Sequence, residues 1–209
     1  MSMGVMSMTE YLISKVIDFL KKNMDEIDND KEEILKYGLD IIIYNGLLLI
    51  LFFALAVILG VVKPFVVSFA VYGTLRIAAG GAHAKTRTIC FMVTISTFFG
   101  AIFMAKYFAV SSIFPSVIIF LLNISAIIIY APGDTLEKPI ISNRIKFSRK
   151  LASIFVSAVI FLISVKVYSM DVVLYSVILF SEIPFILLLI PVGYRLLGCL
   201  PGNGKIEES

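Results

Sequence analysis

Six long apolar runs constrain this chain more than any other feature. They cover residues 39–62, 65–82, 89–110, 113–130, 151–168 and 172–194. About 20 apolar residues carry a helix across the hydrocarbon of a bilayer, and these runs sit close to that length. The residues are 59% hydrophobic and 16% charged, whereas soluble domains average about 45–50% and about 25%. A mean hydropathy of +0.99 agrees. The expectation is an all-α, polytopic integral membrane protein: one membrane domain over residues 1–209 with six transmembrane helices. The second run is the marginal one. It is uninterrupted only over 65–75 and reads as a short tilted span or a re-entrant element.

The basic residues fix an orientation. Six crossings with the N-terminus in the cytosol put 15 of the 18 Lys and Arg inside. Lys63, Lys106 and Lys166 alone fall outside, and the last two snorkel at the outer ends of their spans. The positive-inside rule favours this arrangement, with both termini cytoplasmic. If 65–82 did not cross, the basic 131–150 loop would move outside. Both cysteines, Cys90 and Cys199, then face the reducing side, which argues against a structural disulfide. A net charge of +3 gives no sign of nucleic-acid binding, and no secretory signal peptide is apparent.

Residues 7–29 precede the spans. Ser7 and Glu10 fit a capping box. Ile13, Val16, Ile17, Leu20, Met24 and Ile27 recur at helical spacing, with charged residues filling much of the other face. This predicts an amphipathic helix in the membrane interface or, alternatively, one packed on other cytosolic loops. A charged hinge follows at 28–33.

Polar residues inside apolar runs are candidates for function. Glu182, beside Pro184, is an intramembrane acid; it is either functional or a paired carboxyl that fixes helix packing. Asn45 and Asn123 read as interhelical hydrogen-bond partners.

Residues 76–90 hold the chemistry. This short basic island between two apolar runs contains the single histidine, His83, and Cys90. A thiol and an imidazole are the minimal parts of a cysteine nucleophile and its base. On spacing alone, a snorkelling histidine and an inert thiol fit equally well. Arg76, Lys85 and Arg87 flank the pair and favour the charged form of a thiol. Thr86 or Thr88 can cap the next helix, which puts Cys90 in its first turn near free backbone N–H groups. Such groups can stabilise an oxyanion. Seven residues of straight helix rise about 10.5 Å, too far for imidazole to reach sulfur. His83 must therefore sit on a bend. Gly80-Gly81 permits one, although the same pair also suits close packing against another helix. Asp134 and Asn143, in the 131–150 loop, are candidates to orient the imidazole. The residues call for no cofactor or metal.

The pattern Arg76-x3-Gly80-Gly81-x-His83-x6-Cys90 resembles the signature of the accessory gene regulator protein B (AgrB) family. The preceding amphipathic segment, the short second run and the Ala131-Pro132…Lys138-Pro139 loop are similar to that family too. The resemblance implies a cysteine endopeptidase of the bacterial cell membrane that processes a small quorum-sensing propeptide with an amphipathic leader. It implies Cys90 as nucleophile and His83 as general base, with Arg76, Gly80 and Gly81 in support. It further implies cyclisation of the product to a thiolactone, and a homodimer. Cys199 matches no catalytic position. The competing expectation is a small peptide exporter or transporter built on Glu182 and the kinked last run; the absence of a visible inverted repeat weakens it.

Overall fold

The computed structural model describes residues 8–23, 29–82, 86–133 and 142–199. Among them are eight helices and no strand: α1 (Met8–Asn23), α2 (Asn29–Ile58), α3 (Val62–Ala79), α4 (Arg87–Tyr107), α5 (Phe114–Tyr130), α6 (Asn143–Tyr168), α7 (Val172–Leu189) and α8 (Pro191–Leu197). Five of them, α2, α3, α4, α6 and α7, are long and apolar enough to cross a membrane. The sixth apolar helix, α5, is shorter at 17 residues. The chain forms two compact units, residues 1–58 and 59–209.

In the first unit α1 packs on α2. Among its described side chains Ile13 and Ile17, one turn apart, are buried, while Tyr11, Val16 and Phe19 stay exposed. Glu32 on α2 ties the pair, meeting Lys21 of α1 and Lys36 one turn on, each at 2.6 Å. Ser7, Met24 and Ile27 lie outside the described residues. The segment expected as a hinge is helical from Asn29 onward, so α2 starts ten residues before its apolar run.

In the second unit α7 is the central helix. It packs against α3, α4, α5 and α6, and ten of its 18 residues are buried. Small hydroxyl residues let neighbours approach it: Ser181 Oγ donates to Ser68 Oγ of α3 at 2.8 Å. Between α3 and α4, Phe65 stands edge-on to Phe98 at 5.6 Å, and Phe98 lies edge-on to Tyr72 at 5.7 Å. The α4–α5 connection is pinned by Tyr168 and Tyr175, whose hydroxyls donate to Ser111 O and Ser112 O, each at 2.9 Å. A groove of about 260 Å³ between α3 and α6, lined by residues such as Val71, Thr74 and Phe155, is almost wholly apolar.

Glu182 of α7 accepts a hydrogen bond from Asn123 Nδ2 of α5, with both residues almost fully buried. Asn123 Oδ1 has no partner among the described residues. Glu182→Leu should therefore cost about 1–3 kcal/mol, because it strands the Asn123 amide in apolar surroundings. Glu182→Gln should be at least as stable as the parent, since its amide can donate to Asn123 Oδ1 and accept from Nδ2. Thermal unfolding in detergent checks both.

Asp171 caps α7: its Oδ1 accepts from the Leu174 N–H at 3.0 Å, and Lys63 Nζ lies 3.5 Å from Oδ2. The Leu174 bond first, and Lys63 after it, hold this carboxyl below its usual range. Its stabilising effect is full above the ordinary aspartate pKa and fades as pH falls through the lower folded value. Asp171→Ala should cost about 1 kcal/mol at neutral pH, and that difference should shrink below about pH 4. Unfolding midpoints of the two proteins across that range check it.

Two further boundaries differ from expectation. The 131–150 segment is not all loop, because α6 begins at Asn143 and carries Arg144, Lys146, Arg149 and Lys150 as helical residues. The last run is two helices. Pro184 sits inside α7, but the chain breaks at Ile190 and Pro191 starts α8. Proline has no N–H to continue a helix and suits a first turn.

Candidate active site

The chain leaves α3 at Gly80 and turns sharply. Gly80 and Gly81 have φ of 73° and 120°, values that side chains other than glycine rarely adopt. Gly80-Gly81 thus forms a bend, and the bend is also a close-packing point. A parallel bridge pairs Gly80 with Gly133, just past the end of α5. Gly81 N–H donates to Gly133 O at 3.1 Å, and Gly133 N–H donates to Ala79 O at 2.8 Å. Ala82 N–H donates to Leu188 O near the end of α7, at 2.8 Å. The α7–α8 break frees that carbonyl from its helical role.

Arg76 closes the turn from inside. Its Nη1 donates to Gly80 O at 2.8 Å and its Nη2 to Ala82 O. The guanidinium thus braces the backbone on both sides of Gly81. Neighbouring space is filled: a Cβ at Gly133 would lie 2.6 Å from Gly81 Cα and 2.8 Å from the Tyr194 hydroxyl oxygen. Ala82, Leu188, Tyr194 and Leu197 form one buried cluster, with Tyr72, Val93 and Cys199 packed against it.

After residues 83–85, α4 starts under a Thr86 cap. Thr86 Oγ1 accepts from Ile89 N–H at 3.3 Å, and Thr86 O accepts from Cys90 N–H at 3.0 Å. Thr86, not Thr88, is the cap. Cys90 is half-buried in the first turn, but its own N–H is committed to the helix, as is that of Ile89. These two amides are therefore not the open oxyanion donors expected there. Val93, three residues on from Cys90 and on the same side of α4, packs on the Ala82 cluster.

Arg87 is the exposed first residue of α4, and Asn143 the exposed first residue of α6. His83, Lys85 and Asp134 lie outside the described residues. Cys199 is half-buried, its thiol 3.8 Å from Tyr194 O. Sequence reasoning missed Gly133, Leu188, Tyr194 and Tyr72. For Gly133 a signal was present, since Pro132-Gly133 directly follows an apolar run.

Residues 13–190 match the family model described as accessory gene regulator B. The chain belongs to the accessory gene regulator B family. Its similarity to individual members is modest but extended. It is 25% identical over 164 residues to a putative AgrB-like protein of Clostridium acetobutylicum, covering 78% of this chain and 77% of the relative. It is 30% identical over 145 residues to accessory gene regulator protein B of Staphylococcus haemolyticus, covering 69% and 74%. The corresponding Staphylococcus saprophyticus protein is 28% identical over 165 residues, covering 75% and 83%. No solved structure matches. Membership of the AgrB family supports a quorum-sensing role for this membrane protein.

Proposed function

We propose that this protein is a membrane cysteine endopeptidase that cleaves a small quorum-sensing propeptide and closes the product into a thiolactone. The observation that carries the reading is the braced turn at Gly80–Ala82. It ends one residue before His83, and Cys90 lies in the first turn of the helix that follows. A straight helix through this segment would keep imidazole and thiol about 10 Å apart; the turn removes that obstacle. The basic-residue distribution supports a position for the turn at the cytosolic boundary of the bilayer.

The chemistry follows from the groups available. His83 takes the Cys90 thiol proton, and the sulfur attacks the backbone carbonyl at the propeptide's processing site. As the C–N bond breaks, the imidazolium returns the proton to the departing amine. The N-terminal part of the propeptide then remains as a thioester on Cys90. An internal propeptide cysteine attacks that carbonyl, the bond to Cys90 breaks, and the Cys90 thiol is restored. One thioester replaces another, so ring closure needs no ATP. Water must be excluded, since hydrolysis would give a linear peptide. An amphipathic leader would hold the substrate on the membrane and raise its effective concentration at the site.

Mass spectrometry of a candidate precursor incubated with the protein in liposomes tests this. The expected products are a free C-terminal fragment and a core with the mass of the truncated peptide less one water. An intact precursor would contradict the proposal, and a linear core would contradict its cyclisation step.

A further inference from the structure

Attack by Cys90 creates an oxyanion, and a site poor in water must meet it with positioned donors. Several nearby donors are already engaged. The Cys90 and Ile89 amides belong to the α4 cap, and Arg76 Nη1 and Nη2 hold the Gly80 and Ala82 carbonyls. Tyr72 differs, because among the described residues its hydroxyl donates to no acceptor.

Its position is suited to the task. Tyr72 lies one helical turn before Arg76, on the same side of α3. Its half-buried ring stands edge-on to Phe98 of α4, with centroids 5.7 Å apart. It packs on the Ala82–Leu188–Tyr194–Leu197 cluster, the same cluster that receives Val93 from the Cys90 side of α4. The phenol lies within electrostatic reach of both Arg76 and Cys90. A phenol whose hydroxyl has no acceptor among the described residues thus joins the cluster that links the braced turn to α4.

We propose that Tyr72 is a catalytic residue whose hydroxyl donates a hydrogen bond to the oxyanion formed when Cys90 attacks the propeptide carbonyl. The proton stays on the phenol throughout; the bond strengthens as charge develops and relaxes when the thioester forms. This inference rests on Cys90 being the nucleophile.

Tyr72→Phe removes only the hydroxyl. In single-turnover cleavage of a precursor in liposomes, kcat should fall about 10²–10³-fold, the usual effect of losing one oxyanion donor. KM should stay within about twofold, since the donor acts in the transition state. Alkylation of Cys90 by iodoacetamide forms no oxyanion, so its rate should not change. Phe98→Leu, which removes the ring contact but keeps the hydroxyl, should leave kcat within about threefold. Four outcomes would overturn the proposal: a normal kcat for Tyr72→Phe, a kcat loss matched by slower alkylation, a loss confined to KM, or an equal loss in Phe98→Leu. Cys90→Ser in the same assay separates the two levels. Normal cleavage by Cys90→Ser removes the endopeptidase reading itself, whereas abolished cleavage with an unaffected Tyr72→Phe removes only the oxyanion role.

Discussion

Cys90→Ser and His83→Ala should each lower precursor cleavage by on the order of 10⁴–10⁶-fold, while the protein still inserts and unfolds at its usual temperature. The size follows from how such pairs work. A serine hydroxyl beside an imidazole is a far weaker nucleophile than a thiol, and a thiol without its base is attenuated in turn. Groups acting as one unit also fail to add, so the double variant should be little worse than either single one. Cys199→Ser is the control. That thiol packs at the edge of the Ala82 cluster and has no place in the proposed chemistry, so cleavage should stay within about twofold. The contrast is read by quantifying the released C-terminal fragment against protein correctly inserted in the membrane.

The second large effect should come from the turn. Gly81→Ala places a Cβ 2.9 Å from Leu188 O and into Arg76 Nη1, at a backbone conformation that alanine resists. The strain alone is on the order of 1–3 kcal/mol, and relief requires losing the Arg76 brace or the tie to α7. Gly133→Ala should act similarly from the other side, because its Cβ would fall on the Gly81 backbone and the Tyr194 hydroxyl. Both variants should lose most activity and unfold at lower temperature. Gly100→Ala in α4 meets nothing within 4 Å and should be neutral in both assays. Thermal unfolding in detergent, run alongside cleavage, separates these cases.

Much of this fold was legible because hydropathy over about 20 residues is a strong, contiguous signal. The apolar runs at 89–110 and 113–130 became α4 and α5 within a few residues at each end. The marginal second run became the regular helix α3. What failed was polarity as a marker of loops. Arg144, Lys146, Arg149 and Lys150 read as loop residues, yet Arg and Lys are good helix formers and simply extend α6 beyond its apolar part. The first turns of α2 were missed for the same reason. The last run, expected as one kinked span, is split where Pro191 opens α8.

At the candidate site, the local features were readable and the tertiary ones were not. Thr86 as a cap and Gly80-Gly81 as a turn follow from residue chemistry within a few positions. Gly133 and Leu188 lie about 50 and 100 residues farther along, and no periodicity links them to the turn they hold. Arg76 was read as a charge beside a thiol; its two described bonds go to backbone carbonyls. Glu182 pairs with Asn123, which matches the packing alternative for an intramembrane acid.

The proposed function stands on a thioester between Cys90 and the propeptide. The direct measurement is peptide mapping of the acid-quenched protein after incubation with a precursor whose internal cysteine has been replaced by serine, so that ring closure is slowed. The expected result is the N-terminal part of the precursor attached to Cys90 and released by hydroxylamine. Cleaved precursor with Cys90 unmodified at every time point would contradict it.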